Sequence, residues 1–198
     1  KKPKSAGYTI IETMIAISLF LIVVMAGMNA LLNANLLHQK SSDMRSILDN
    51  LSFIMEDMSR NIRTGYNYHC IDSDDNNPTH TTVRSCTSIG KGISFKSASD
   101  GSQWVYYIGS CDDGTNGICK STEGAVSGSL IQLTPLEVTI KPESSFSVLG
   151  AEPPQNPFSS TEQQPFVTIR LIGIISFKGV DTPFSLQTSV SQRLIDVI

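Results

Sequence analysis

Between Tyr8 and Leu37 the chain has one side chain expected to carry charge, Glu12, in an otherwise uncharged and largely apolar run. Residues 13–37 are 25 uncharged positions. As helix they measure about 38 Å, enough to cross a hydrocarbon core of about 30 Å. Beyond Leu37 the pattern becomes amphipathic. Met44, Leu48, Leu51, Met55, Met58 and Ile62 follow at spacings of 4, 3, 4, 3 and 4, and Ile47 and Ile54 widen the stripe. Asp43, Arg45, Asp49, Asn50, Glu56, Asp57, Arg60 and Arg63 form a polar face. This periodicity predicts one helix from about Tyr8 to Thr64, roughly 85 Å long. Gly65 is expected to end it, with Arg60 and Arg63 at the negative end of the helix dipole. The stripe reads as the face on which a globular domain packs. Its length, about three heptads, is short for a coiled coil.

After Gly65 the period shortens. Gly92–Lys96 and Gln103–Ile108 read as a hairpin around Ser99-Asp100-Gly101. Leu130–Leu133 is a short strand, Leu136–Leu149 alternates loosely, and Pro153-Pro154-Gln155-Asn156-Pro157 is a loop. Phe166–Ile172 and Phe184–Val197 complete the set. The expected fold class is α+β, a long N-terminal helix packed on an antiparallel sheet. The expected organisation is a leader at 1–7, an apolar helix at 8–37, its amphipathic half at 38–64 and a β-rich head at 65–198. No internal repeat and no second globular domain is evident.

Charge changes this picture at two places. Of 15 basic and 18 acidic residues, three lysines lie in the first four positions, leaving 12 basic against 18 acidic for the rest. That balance, without a basic stripe, argues against nucleic-acid binding. The lysines Lys1, Lys2 and Lys4 set the N-terminus on the cytoplasmic side by the positive-inside rule. Glu12 poses the sharper question, because a charge inside a bilayer costs about 3 kcal/mol or more and is normally paired. No cation lies beside it in the chain. A cut between Gly7 and Tyr8 would create one, the Tyr8 α-amine, with a pKa of about 8. In a continuous helix Tyr8 and Glu12 would be i and i+4 neighbours, and they could also pair between chains stacked with an axial offset. A secretory signal peptide would have a shorter apolar core followed by small residues. An ordinary anchor explains the length of the run but neither Glu12 nor Gly7-Tyr8.

At Gly7, Tyr8, Glu12 and the apolar run behind them the sequence resembles the type IV pilin and pseudopilin family. Tyr8 stands where phenylalanine is usual. The resemblance implies that a prepilin peptidase cuts after Gly7 and N-methylates Tyr8. It implies that Glu12 recruits the subunit through the amine of a neighbour already in the filament. The chain does not begin with methionine, so a longer leader is expected. Many major pilins carry a proline at the position of Asn29, where the helix can melt during assembly. Its absence points toward a minor subunit, although Gly27 still costs the helix about 1 kcal/mol relative to alanine. Asn29 and Asn33 read equally well as helix–helix contacts. Residues 50–65 and 186–193 resemble the helix end and last strand of larger minor pilins of the W type and J-type pseudopilins. Glu12 itself argues against the tip subunit of pseudopili, which typically lacks it.

The four cysteines, Cys70, Cys86, Cys111 and Cys119, follow the membrane segment, so topology places them outside, where disulfides persist. Three pairings are open. The two local ones, Cys70 with Cys86 and Cys111 with Cys119, are favoured because each closes a polar loop lacking a core of its own. Zinc is the alternative, with His69 and His80 nearby, but no C-x-x-C pair is present. Asp72, Asp74 and Asn76 match the first alternating ligands of a calcium loop. Asn77 and Val83 occupy the places of its glycine and glutamate, so a solvated turn is the better reading, as it is for Asp112–Gly117. No cofactor is expected. No G-x-S-x-G, H-E-x-x-H or phosphate loop occurs, and His38, His69 and His80 have no recognisable nucleophile partner, so no enzyme is expected. The reading is a structural subunit, expected to be minor, of a type IV pilus or a type II secretion pseudopilus. Its partners would be other pilin subunits, the prepilin peptidase and an inner-membrane assembly platform. It would be a single-pass inner-membrane protein with an extracytoplasmic head before entering the filament. The alternative is a membrane-tethered extracytoplasmic binding domain that never polymerises.

Overall fold

The computed structural model describes residues 7–72, 81–111, 114, 116–124, 129–152, 164–177 and 179–193, and for residues 87–89 the backbone alone. One helix, α1 (Ile10–Thr64), precedes ten strands. These are β1 (Tyr66–Ile71), β2 (Cys86–Gly90), β3 (Gly92–Lys96), β4 (Gln103–Ser110), β5 (Asn116–Ser121), β6 (Ile131–Gln132), β7 (Val138–Ile140), β8 (Ser145–Leu149), β9 (Phe166–Phe177) and β10 (Val180–Ser191). The fold is α+β, a long helix packed against antiparallel sheets. The chain divides into two compact units, residues 1–45 and 46–198, with the boundary inside α1.

In the first unit no described residue of the helix is fully buried. Ile10 through Leu37 is an apolar surface open on all sides, with Phe20 65% exposed. This segment is long and apolar enough to cross a membrane. The helix begins at Ile10, not at Tyr8 as the apolar pattern predicts, because Thr9 caps it.

The second unit has two sheets. One has the strand order β1-β3-β4-β5-β6, the other β10-β9-β8-β2. β8 and β7 share one edge of β9, at residues 166–170 and 173–175, while β10 pairs along the whole opposite edge from Val180↔Phe177 to Ser191↔Phe166. The two sheets meet at a corner. Only Lys91 separates β2 in one sheet from β3 in the other. Its N–H donates to Ile71 O at 2.7 Å and its carbonyl accepts from Ile108 N–H at 2.7 Å. Beside it Arg84 bridges to β1, accepting from Cys70 N–H at 3.0 Å and donating to Tyr68 O at 3.1 Å. Crowding here requires glycine at position 90. A Cβ there would lie 2.5 Å from Cys70 Sγ and 2.7 Å from Phe146 O.

The core lies between the second half of α1 and the sheets. The helix contributes Ile47, Leu51, Ile54, Met55, Met58 and Ile62. Phe95, Tyr106, Ile118, Phe146, Ile169 and Leu171 meet them from the strands. Each fully buried aliphatic side chain stabilises by about 1.5–3 kcal/mol. The predicted stripe is shifted in one respect. Leu48 is 37% exposed and Met44 half-buried, whereas Ile47, read as a flanking position, is buried. Asp57, Asn61 and the sheet hold the register of the helix. Asn61 Nδ2 donates to Tyr106 Oη at 2.9 Å, and Tyr106 donates to Asp57 Oδ2 at 3.2 Å. Lys120 Nζ lies 3.5 Å from the same carboxylate and 4.3 Å from the centre of the Trp104 ring.

The helix ends at Thr64, but Gly65 serves a different purpose from a left-handed cap. Its φ is not positive. A side chain at this position would collide with the Phe95 ring. The last carbonyls of the helix are satisfied from the head, as helix ends require. Tyr68 Oη lies 2.6 Å from Ile62 O and 2.7 Å from Gly65 O, Gln192 Nε2 donates to Gly65 O at 3.1 Å, and Arg193 N–H donates to Arg63 O at 2.9 Å.

Burial pushes the Tyr68 phenol well above the range of an exposed tyrosine. A raised pKa contributes stability that is complete below the unfolded value and is lost as pH climbs toward the folded value. The head is therefore expected to weaken above about pH 10. Tyr68→Phe should cost about 1–3 kcal/mol at neutral pH by leaving two buried carbonyls underbonded, and should flatten this alkaline loss. Chemical denaturation of wild type and variant at pH 7 and above pH 10 measures both. An equal alkaline loss in the variant would assign the effect elsewhere.

Candidate functional site

The residues singled out at the N-terminus gather at the first turn of α1. Gly7 and Tyr8 precede the helix and both are exposed, Tyr8 by 81%. Thr9 is the cap. Its Oγ1 accepts the Glu12 N–H at 3.3 Å and its carbonyl accepts the Thr13 N–H at 3.2 Å. Thr9-Ile10-Ile11-Glu12 is thus a capping-box spacing, with a carboxylate in the first turn where the helix dipole favours it. Sequence reading passed over Thr9, although Thr-x-x-Glu ahead of an apolar run was the signal for it.

The cap corrects the expected geometry. Tyr8 lies outside the helix, so Tyr8 and Glu12 are not i and i+4 neighbours on one helical face. Among the described residues no hydrogen bond or ion pair engages the Glu12 carboxylate. The nearest lysine or arginine that follows it is Lys40, 28 positions on, about 42 Å along a helix. The site is therefore a lone carboxylate at the head of an apolar rod, next to an exposed glycine–aromatic bond. Chemically it can accept a cation. Lys1, Lys2 and Lys4 lie outside the described residues.

The other candidates lie in the head. Cys70 is bonded to Cys86 and Cys111 to Cys119, with Cα–Cα distances of 5.9 and 5.7 Å. The first bond crosses the corner between the sheets. The second packs with Leu130 and Tyr107 in a small cluster of its own. All four sulfurs are thereby removed from metal ligation. His69 is buried, with Nδ1 against Thr82 O. Asp72 is paired with Arg84, Oδ2 to Nη2 at 3.1 Å. Asp74, Asn76 and His80 lie outside the described residues, as do Asp112, Asp113 and the 153–157 loop. Among the described residues no three metal-ligating side chains converge.

Residues 2–28 match the family model of the prokaryotic N-terminal methylation motif. The match spans Gly7, Tyr8 and Glu12 and ends within α1, before the head. No curated protein and no solved structure matches the chain.

Proposed function

We propose that this chain, which carries the prepilin-type signal of type IV pilins and pseudopilins and is a type IV pilin-like or pseudopilin subunit, serves as a minor subunit. The filament is a type IV pilus or a type II secretion pseudopilus. The observation that carries the reading is the Glu12 carboxylate, unengaged among the described residues, at the start of an apolar helix and five residues beyond Gly7. Left alone in an apolar surrounding it costs about 3 kcal/mol or more, so the arrangement is stable only once a cation arrives. Hydrolysis of the Gly7–Tyr8 peptide bond by a prepilin peptidase supplies that cation as the Tyr8 amine, and methylation leaves it charged. Because Tyr8 stands ahead of the Thr9 cap and is exposed, the amine is available to another subunit rather than held against Glu12 of its own helix. Ile10 through Leu37 then exchange lipid for the apolar helices of neighbouring subunits. The absence of proline at Asn29 supports a minor rather than a major role. The leader lies on the cytoplasmic side and the head outside, where its disulfides persist. No catalysis is assigned to the head.

Mass spectrometry of the N-terminal peptide tests this, with membrane and sheared surface fractions taken from cells expressing the peptidase. The expected result is a peptide beginning at N-methylated Tyr8. Recovery from the sheared fraction indicates a surface pilus, and recovery from membranes alone indicates a short pseudopilus or an initiating complex. An intact Gly7–Tyr8 bond in the presence of active peptidase would overturn the reading and leave a tethered binding domain.

A further inference from the structure

Among the described residues β10 leaves one long edge of its sheet open. It is the terminal strand of its sheet and pairs with β9 on one side through all 12 of its residues. The other edges are shorter or engaged, since β6 has two residues and β1 is met by Arg84. Long unprotected edges are usually avoided because they template pairing with another chain.

The hydrogen bonding of β9 identifies the groups that are free. Ile172 N–H donates to Ser144 Oγ at 2.8 Å, Ile172 O accepts from Lys141 N–H at 2.8 Å, and Ser176 N–H donates to Glu137 O at 2.8 Å. These residues of β9 therefore turn their backbone groups away from β10. Their cross-strand partners are Ser185 and Asp181. Antiparallel ladders alternate, so Asp181, Pro183, Ser185, Gln187 and Ser189 direct their backbone groups to the open side. Pro183 fits this parity, since it lacks an N–H and sits where β9 needs none. Among the described residues nothing pairs with the backbone on this side.

A groove of about 370 Å³ lies beside the middle of this edge, between β10 and the flank of α1. Leu186, Gln187 and Thr188 line it from the strand, and Met55, Glu56 and Ser59 are among its helix residues. Among the described residues Glu56 is its one charged lining residue, and it is exposed. A strand added about 4.8 Å outside β10 would cover the mouth of the groove. Every second side chain would point toward Met55 and Leu186, and a basic one among them would meet Glu56.

We propose that the open edge of β10, with the groove beside Glu56, docks an extended segment of a different protein, with alternating β-branched residues and a lysine or arginine. Backbone pairing with Ser185, Gln187 and Ser189 supplies the attachment, and the groove selects the side chains. A second copy of β10 does not suit the site. Its one charged residue is Asp181, so it brings no cation for Glu56, and Pro183 interrupts its own edge.

The full chain in detergent micelles provides the test, with a fluorescent acetyl-Thr-Val-Lys-Val-Thr-Val-amide as probe and anisotropy as readout. Saturable binding is expected, weakened about tenfold or more when alternate amides of the peptide are N-methylated. Gln187→Pro should weaken it comparably, because it deletes a free-edge N–H without touching the β9 ladder. Glu56→Lys should reverse the preference from the lysine peptide to its glutamate counterpart. Peptide N-methylation leaves the protein unchanged, so the test stands even if Gln187→Pro unfolds. Absence of saturable binding, or indifference to N-methylation, overturns the proposal. Sedimentation showing a dimer that Gln187→Pro abolishes overturns it in favour of a second copy.

Discussion

Glu12→Ala should yield a subunit that reaches the membrane and is cleaved after Gly7, yet is nearly absent from the filament. Incorporation is expected to fall about 100-fold, the equivalent of roughly 3 kcal/mol for one charge pair formed in an apolar surrounding. The physical basis is the isolation of the carboxylate. Thr9 takes the backbone N–H of Glu12 at 3.3 Å, but among the described residues nothing engages the side chain. Alanine keeps the helix, because the cap bond uses the Glu12 backbone and alanine has the highest helix propensity. Glu12→Gln separates charge from shape. It should behave nearly like alanine if an amine is the partner, and nearly like wild type if the side chain only packs. The measurement is the ratio of this chain in sheared or purified filaments to that in membranes, with N-terminal mass spectrometry confirming equal cleavage. Unchanged incorporation of Glu12→Ala would remove the basis for assembly through this residue.

The second large effect is expected at the corner between the sheets. Replacing Cys70 and Cys86 together with serine should destabilise the head by about 2–5 kcal/mol and lower its melting temperature by about 10 °C. Three features concentrate the effect there. Lys91 alone connects β2 to β3, Arg84 bridges to β1, and Gly90 has no room for a side chain beside both sulfurs. Without the bond, the described contacts that tie β1 to the segment around β2 are the backbone hydrogen bonds of Arg84 and Lys91 and the Asp72–Arg84 ion pair. The Cys111–Cys119 bond closes a shorter loop, with a sequence separation of 8 against 16. Its double serine variant should lose less, because it staples one hairpin rather than two sheets. Calorimetry of the full chain in detergent, for each double variant, gives the comparison. An equal or larger loss on removing the second bond would contradict the assignment of the corner as the weak point.

Much of the candidate site was legible because it depends on chemistry within one short segment. The cost of a lone carboxylate in an apolar run follows from Glu12 and its neighbours, wherever the rest of the chain lies. The end of the helix near Gly65 was likewise readable, since the hydrophobic period changes there. The reason for that glycine was not readable, because Phe95, which fills the space, is 30 positions away. The cap at Thr9 is likewise legible in Thr-x-x-Glu ahead of an apolar run, and it sets the helix start at Ile10.

The strands divide in the same way. β3, β4 and β9 carry enough alternating apolar residues to be seen alone. β1, β2 and β5 do not. Cys86-Thr87-Ser88-Ile89-Gly90 and Asn116-Gly117-Ile118-Cys119-Lys120-Ser121 have weak strand propensity and are held by neighbours, β5 between β4 and β6 and β2 on β8.

By itself the sequence determined a membrane-length helix, a basic N-terminal methylation motif, a Glu12 with no cation beside it in the apolar run and an α+β class, because periodicity and the cost of an unpaired charge are local. The tertiary structure decided that Ile47 rather than Leu48 faces the core, that two sheets turn a corner at Lys91 and that, among the described residues, β10 keeps a free edge. Burial and edge status depend on which distant segments arrive, and no stretch of chain carries that information alone.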